Sequence, residues 1–219
     1  NTTANNNVAV GYNALSSSTT ASNNVAIGQK ALILTTTGAN NIAVGKDSLQ
    51  TNTTGANNVG VGYQALNVNT TGARNIAIGH SALLANTTAS ENTAIGYQAL
   101  TTNITGTENT ATGYQALRNN TASNNTAFGH EALELNTTGS NNTAVGNDAL
   151  QANTTGTELT AVGRYALKSS TTGNYNSALG TNALQANTTG YNNTALGRSA
   201  MYSNTTGHTS VAVGYEALY

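Results

Sequence analysis

The chain has 219 residues, with seven basic and eight acidic side chains, three histidines, and no cysteine, proline or tryptophan. Charged residues make up 7% of it, against about 25% in an ordinary soluble domain. A net charge of -1 offers no basic stripe for phosphates and argues against nucleic-acid binding. The lack of cysteine excludes disulfides and thiolate zinc sites, and no apolar run reaches the ~18 residues of a membrane span. What remains is a neutral chain rich in Asn, Thr, Ala and Gly, without the charge and proline of disordered tracts.

A glycine preceded by a mostly apolar residue recurs at a constant step of 17, at Gly11, Gly28, Gly45, Gly62, Gly79, Gly96 and Gly113. After one step of 16 the series continues through Gly129, Gly146, Gly163, Gly180, Gly197 and Gly214. Thirteen units therefore fill a single array over residues 1–219, with a one-residue deletion between Leu117 and Asn125. The unit reads approximately Asn-Thr-Ala-Val-Gly-Tyr-Gln-Ala-Leu-x-x-Asn-Thr-Thr-Gly-x-Asn. A fixed period of this kind is the signature of a repeat architecture.

Each column of the array holds one chemical type. Two residues before the glycine stands Ala9, Ala26 and so on to Ala212, broken only by Gly60. Three after it is alanine, with one Ser48, and four after it is leucine, with one Met201. One before it is Val, Ile, Leu or Phe, apart from Thr112. None of these columns carries a charge. The charges fall one or two places after the glycine, as in Lys46, Asp47, His80, Glu131, Arg164 and Arg198, or in the polar connection, as in Arg74, Glu91, Glu108 and Lys168. The columns nominate a repeat core: Val10, Gly11, Ala14 and Leu15 in the first unit; Ile27, Gly28, Ala31 and Leu32 in the second; Ile95, Gly96, Ala99 and Leu100 in the sixth; Val145, Gly146, Ala149 and Leu150 in the ninth.

Glycines, β-branched residues and the Asn-Thr-Thr run disfavour helix. Val8, Val10 and Tyr12 alternate with Asn7, Ala9 and Gly11, which is strand periodicity, and Asn-Thr-Thr-Gly is turn chemistry. One such unit traces at most about 56 Å, enough for one coil with two or three short strands; thirteen coils stacked at about 4.8 Å make a rod about 60 Å long. The expected fold is all-β, a parallel β-solenoid or β-roll. The asparagines four before the glycine, from Asn7 to Asn193 with Leu159 and Ser210 as exceptions, are expected to stack as an amide ladder. The alanine and glycine columns imply either a very thin coil or close approach of identical chains. Because such a coil has little core of its own, a homotrimer is expected.

The segments Asn6–Tyr12, Asn23–Gly28 and Ser210–Gly214, reading Asn-Asn-Val-Ala-Val-Gly-Tyr, Asn-Asn-Val-Ala-Ile-Gly and Ser-Val-Ala-Val-Gly, resemble the head repeats of trimeric autotransporter adhesins. The longer stretch Gly62–Gly72 also resembles repeat arrays of bacterial surface and phage tail-fibre proteins. The adhesin repeat is usually shorter, with a tighter turn, and later units here replace its first valine by threonine (Thr93, Thr110, Thr126, Thr143, Thr160, Thr194). The resemblance implies a trimeric β-roll, an extracellular or virion-appendage location, a structural fibre or adhesin role, self-association, a host-surface or glycan ligand, and no catalytic residues.

His80 and His130 share a column three units apart, roughly 14 Å along the stack, too far to share a metal, so they read with His208 as surface decoration. No calcium-binding nonapeptide, phosphate loop or nucleophile motif is present, and no enzyme activity, cofactor or metal is expected. The Asn-x-Thr sites at Asn52, Asn69, Asn86, Asn103, Asn136, Asn153, Asn187 and Asn204 follow from the repeated turn itself. Tyr12, Tyr63, Tyr97, Tyr114 and Tyr215 read as packing or edge cover, with a stacked sugar-binding row as the alternative. Threonine pairs such as Thr53-Thr54 and Thr70-Thr71 recur in register and suggest ice binding as a competing function, although adjacent side chains on an extended strand point to opposite faces. The sequence opens inside a unit at Asn1-Thr2-Thr3 and stops one residue past a leucine column, so the array reads as the middle of a longer protein.

Overall fold

The structure is a computed structural model and describes residues 3–219; Asn1 and Thr2, which open the first unit, lie outside the described residues. The fold is an all-β parallel β-solenoid, with no helix among the described residues. Two compact units divide it, Asn1–Asn109 and Thr110–Tyr219. The first holds β1 (Val8–Val10), β2 (Val25–Ile27), β3 (Ile42–Val44), β4 (Val59–Val61), β5 (Ile76–Ile78) and β6 (Thr93–Ile95). The second holds β7 (Thr110–Thr112), β8 (Thr126–Phe128), β9 (Thr143–Val145), β10 (Thr160–Val162), β11 (Ser177–Leu179), β12 (Thr194–Leu196) and β13 (Val211–Val213). Within each unit consecutive strands pair in parallel in chain order, identical columns opposite one another, as in Ala9↔Ala26 and Ala144↔Ala161.

Each coil carries one three-residue strand rather than the two or three expected. The other residues of the coil form turns that still bond coil to coil: Leu49 N–H donates to the Ala65 carbonyl, Thr53 N–H to that of Thr70 and Gly62 N–H to that of Val44. The chain bends at a fixed set of positions. In every coil three non-glycine residues have left-handed backbone, and the leucine column is one of these positions, at φ 48–53°. A left-handed leucine costs about 1–2 kcal/mol; burying its side chain contributes about 1.5–3 kcal/mol, so burial carries the strain. The column glycine sits at φ +131° in Gly11, and a Cβ there would lie 2.7 Å from the backbone carbonyl of Gly28, so both backbone angle and stacking require glycine.

The interior is narrow. The alanines two before and three after the glycine are buried along most of the array, Ala31, Ala99 and Ala149 included, and Leu32, Leu100 and Leu150 are fully enclosed. Small residues therefore make a thin coil, the first of the two explanations. Two asparagine columns complete the interior. In the expected one, Asn41 Oδ1 accepts the backbone N–H of Asn58 at 2.9 Å and Asn41 Nδ2 donates to the Gly55 carbonyl at 2.9 Å. The ladder thus runs mainly through amide-to-backbone bonds. A second ladder lies in the Asn-Thr-Thr-Gly turn, where Asn69 Nδ2 donates to Asn52 Oδ1 at 2.8 Å and to the Gly72 carbonyl at 3.0 Å. These bonds satisfy buried polar groups that would otherwise cost about 1–3 kcal/mol each.

One part of the nominated core lies elsewhere. Val10, Ile27, Ile95 and Val145 are 58%, 39%, 37% and 36% exposed and lie on the outer face rather than in the interior. From β2 onward the middle residue of each strand, alanine except for Gly60 in β4, points inward, so its two neighbours must point out; an apolar column was read as an inner one although it forms an outer face.

Candidate functional site

The strands present their first and third residues outward, and along β1–β5 both rows are valine or isoleucine. In β7–β12 the first row becomes threonine or serine, while the third holds Phe128, Val145, Val162, Leu179 and Leu196 after Thr112. No charge enters either row. The result is an uncharged outward face whose side chains are exposed or half-exposed along β1–β5.

The residue after the glycine forms a different row. In the first unit Lys46 Nζ lies 5.8 Å from the Tyr63 ring centre, Tyr63 lies 5.1 Å from His80, and His80 lies 5.2 Å from Tyr97. In the second unit Tyr114 stacks on His130 at 5.0 Å, and Arg198 covers Tyr215 at 5.5 Å. Rings stacked on one another cover their own faces and present edges, whereas a sugar packs on a ring face; the row serves better as mutual cover. The Tyr215 phenol titrates above its usual range because it hydrogen-bonds Glu216, whose charge also disfavours the phenolate.

The turn threonines are not a free row either. Thr53 Oγ1 donates to the Thr70 carbonyl at 3.0 Å and Thr70 Oγ1 to that of Thr87 at 3.0 Å, so the first hydroxyl of these pairs is engaged by the next coil. Seven of the eight Asn-x-Thr sites are also closed: Asn52, Asn69, Asn86, Asn103, Asn136, Asn153 and Asn187 are fully buried, while Asn204 is half-buried.

The densest set of ionisable groups lies in the second unit. His130 Nδ1 is 3.6 Å from Asp148 Oδ1, and His130 Nε2 is 3.8 Å from Glu131 Oε1. Lys168 Nζ lies 2.8 Å from Asp148 Oδ2, and Gln151 Nε2 donates to Glu131 Oε2 at 2.6 Å and Glu134 Oε2 at 3.2 Å. Arg118 pairs with Glu134 at 3.1 Å. Pairing histidines along one column missed this grouping, because its carboxylates stand beside His130 and one coil on. The signal was present in the spacing: Glu131 and Asp148 share the column two after the glycine.

The described residues enclose no cavity, and no helix among them is long and apolar enough to cross a membrane. No family model, curated protein or solved structure matches the chain. The fold and its outward surfaces therefore carry the functional argument.

Proposed function

We propose that the chain is the shaft of an extracellular fibre or adhesin, in which three copies associate through their outward strand faces. The observation that carries this reading is the uncharged double row of valine and isoleucine on β1–β5, exposed or half-exposed in the single chain. A second copy is the partner such a face fits: it presents the same rows at the same strand spacing, so side chains match coil after coil without any charge being buried. The backbone and asparagine ladders supply stiffness, and the resemblance to adhesin-head repeats supplies the number three and the cell-surface or virion setting. Light scattering on the purified chain tests it. A mass three times the 22.1 kDa of one chain is expected; the mass of a single chain overturns self-association.

A second reading, ice binding, has one observation in its favour. On β7–β10 and β12 an outward threonine stands in register two residues before, for the most part, an aliphatic or aromatic one, a regular one-face arrangement that the turn threonines lack. It requires that face to be free in a monomer, and a thermal-hysteresis measurement separates it from the fibre.

A further inference from the structure

The geometry points to a divalent transition-metal site on the second unit, formed by His130, Glu131 and Asp148. One ligand atom from each of the three lies within 4.8 Å of the others, the one such grouping among the described residues. Zinc bonded at about 2.0–2.2 Å to nitrogen and oxygen sets its ligands about 3.3 Å apart. Asp148 stands 3.6 Å from His130 Nδ1, while Glu131 stands 3.8 Å from the other ring nitrogen, Nε2, so His130 ligates through Nδ1 beside Asp148 and the half-buried Glu131 side chain turns to that edge to complete the site. Three protein ligands leave a position for water, in keeping with a His130 side chain 49% exposed.

The surroundings hold these ligands in place. Lys168 engages Asp148 through Oδ2 and leaves Oδ1 toward His130. Gln151 engages Glu131 through Oε2 and leaves Oε1 uncommitted on the Nε2 side of the ring. Tyr114 stacks on the imidazole with an interplanar angle of 12°, which fixes the plane of the ring. Outer partners that orient ligands in this way are the usual companions of a metal centre. Charge also fits: Glu131, Glu134 and Asp148 outnumber Arg118 and Lys168, so a cation finds a net negative neighbourhood. His80 lies between tyrosines without a comparable carboxylate pair.

Calorimetric titration of the whole chain with zinc chloride in a non-chelating buffer tests the site. One zinc ion per chain is expected, with affinity reduced about tenfold or more in His130→Gln and in Asp148→Asn, and unchanged in His80→Gln and His208→Gln. Absence of saturable binding, or equal binding by His130→Gln shown by circular dichroism to be folded, overturns the proposal. Cobalt absorption of the unmutated chain gives a reading that no variant can spoil. An intense visible band from low-coordinate cobalt supports the site, and the weak spectrum of the aqueous ion overturns it.

Discussion

The hydroxyl of Ser48 donates to the carbonyl of Gly60 across 2.9 Å in the buried interior of the first unit. These two residues are the lone exceptions to their alanine columns, and they meet. A Cβ on Gly60 would lie 2.6 Å from Ser48 Oγ, so the serine hydroxyl occupies the room that the glycine vacates.

Gly60→Ala alone should therefore destabilise the chain, by about 1–3 kcal/mol from overpacking. In a Ser48→Ala background the same change restores the alanine pair of the other coils and should be neutral or stabilising. Chemical denaturation of the four variants measures the coupling, expected at about 1–3 kcal/mol; additive effects would contradict the contact.

Ser170 interrupts the asparagine ladder of the turn. Its Oγ and the neighbouring Asn153 Oδ1 are both buried without a hydrogen-bond partner, although Asn153 Nδ2 still reaches the Gly156 carbonyl. Ser170→Asn should let the new amide donate to Asn153, as Asn153 itself donates to Asn136 at 2.7 Å, and raise stability by about 1 kcal/mol. A lower denaturation midpoint would show that this coil has no room for the amide.

Leu100 and Ile95 separate the chain's own core from its outer face. Leu100→Ala should cost about 2–5 kcal/mol, read from urea denaturation. Ile95→Thr in a dissociated chain should cost under about 0.5 kcal/mol. A much larger penalty for Ile95→Thr at high protein concentration, vanishing on dilution, is the outcome expected if copies bury this face.

The seven enclosed Asn-x-Thr sites should stay unmodified in the folded protein. Passed through a secretory pathway that attaches glycans, the folded fraction should show the unmodified mass at Asn52, Asn69, Asn86 and Asn153, because each side chain is enclosed. Glycan at any of these in a folded, protease-resistant chain would contradict the burial.

Much of the architecture is legible from the columns, and the exceptions have physical causes. The leucine and alanine columns read as interior because an uncharged column must face a common environment, and the first asparagine column reads as a stacked ladder without its burial being foreseen. Val10 and Ile95 did not, since periodicity two tells which residues share a face and not which face is enclosed. Asn52 and its equivalents looked like ordinary turn residues; their burial follows from stacking turn on turn, which local propensity does not see. The His130 group was hidden because its members come from adjacent coils, one supplying His130 and Glu131 and the next Asp148.

The missing residue between Leu117 and Asn125 leaves the pairing Thr110↔Thr126, Ala111↔Ala127 unshifted, with Asn125 Nδ2 reaching back to Asn120 Oδ1 at 3.2 Å inside the shortened turn. The strand positions tolerate no slippage while the connection gives way. Because the strands within each unit pair with their equivalents one coil away, adding or removing a whole coil would still join like to like. The same shortened loop is where a foreign peptide epitope would be grafted for display with the least disturbance.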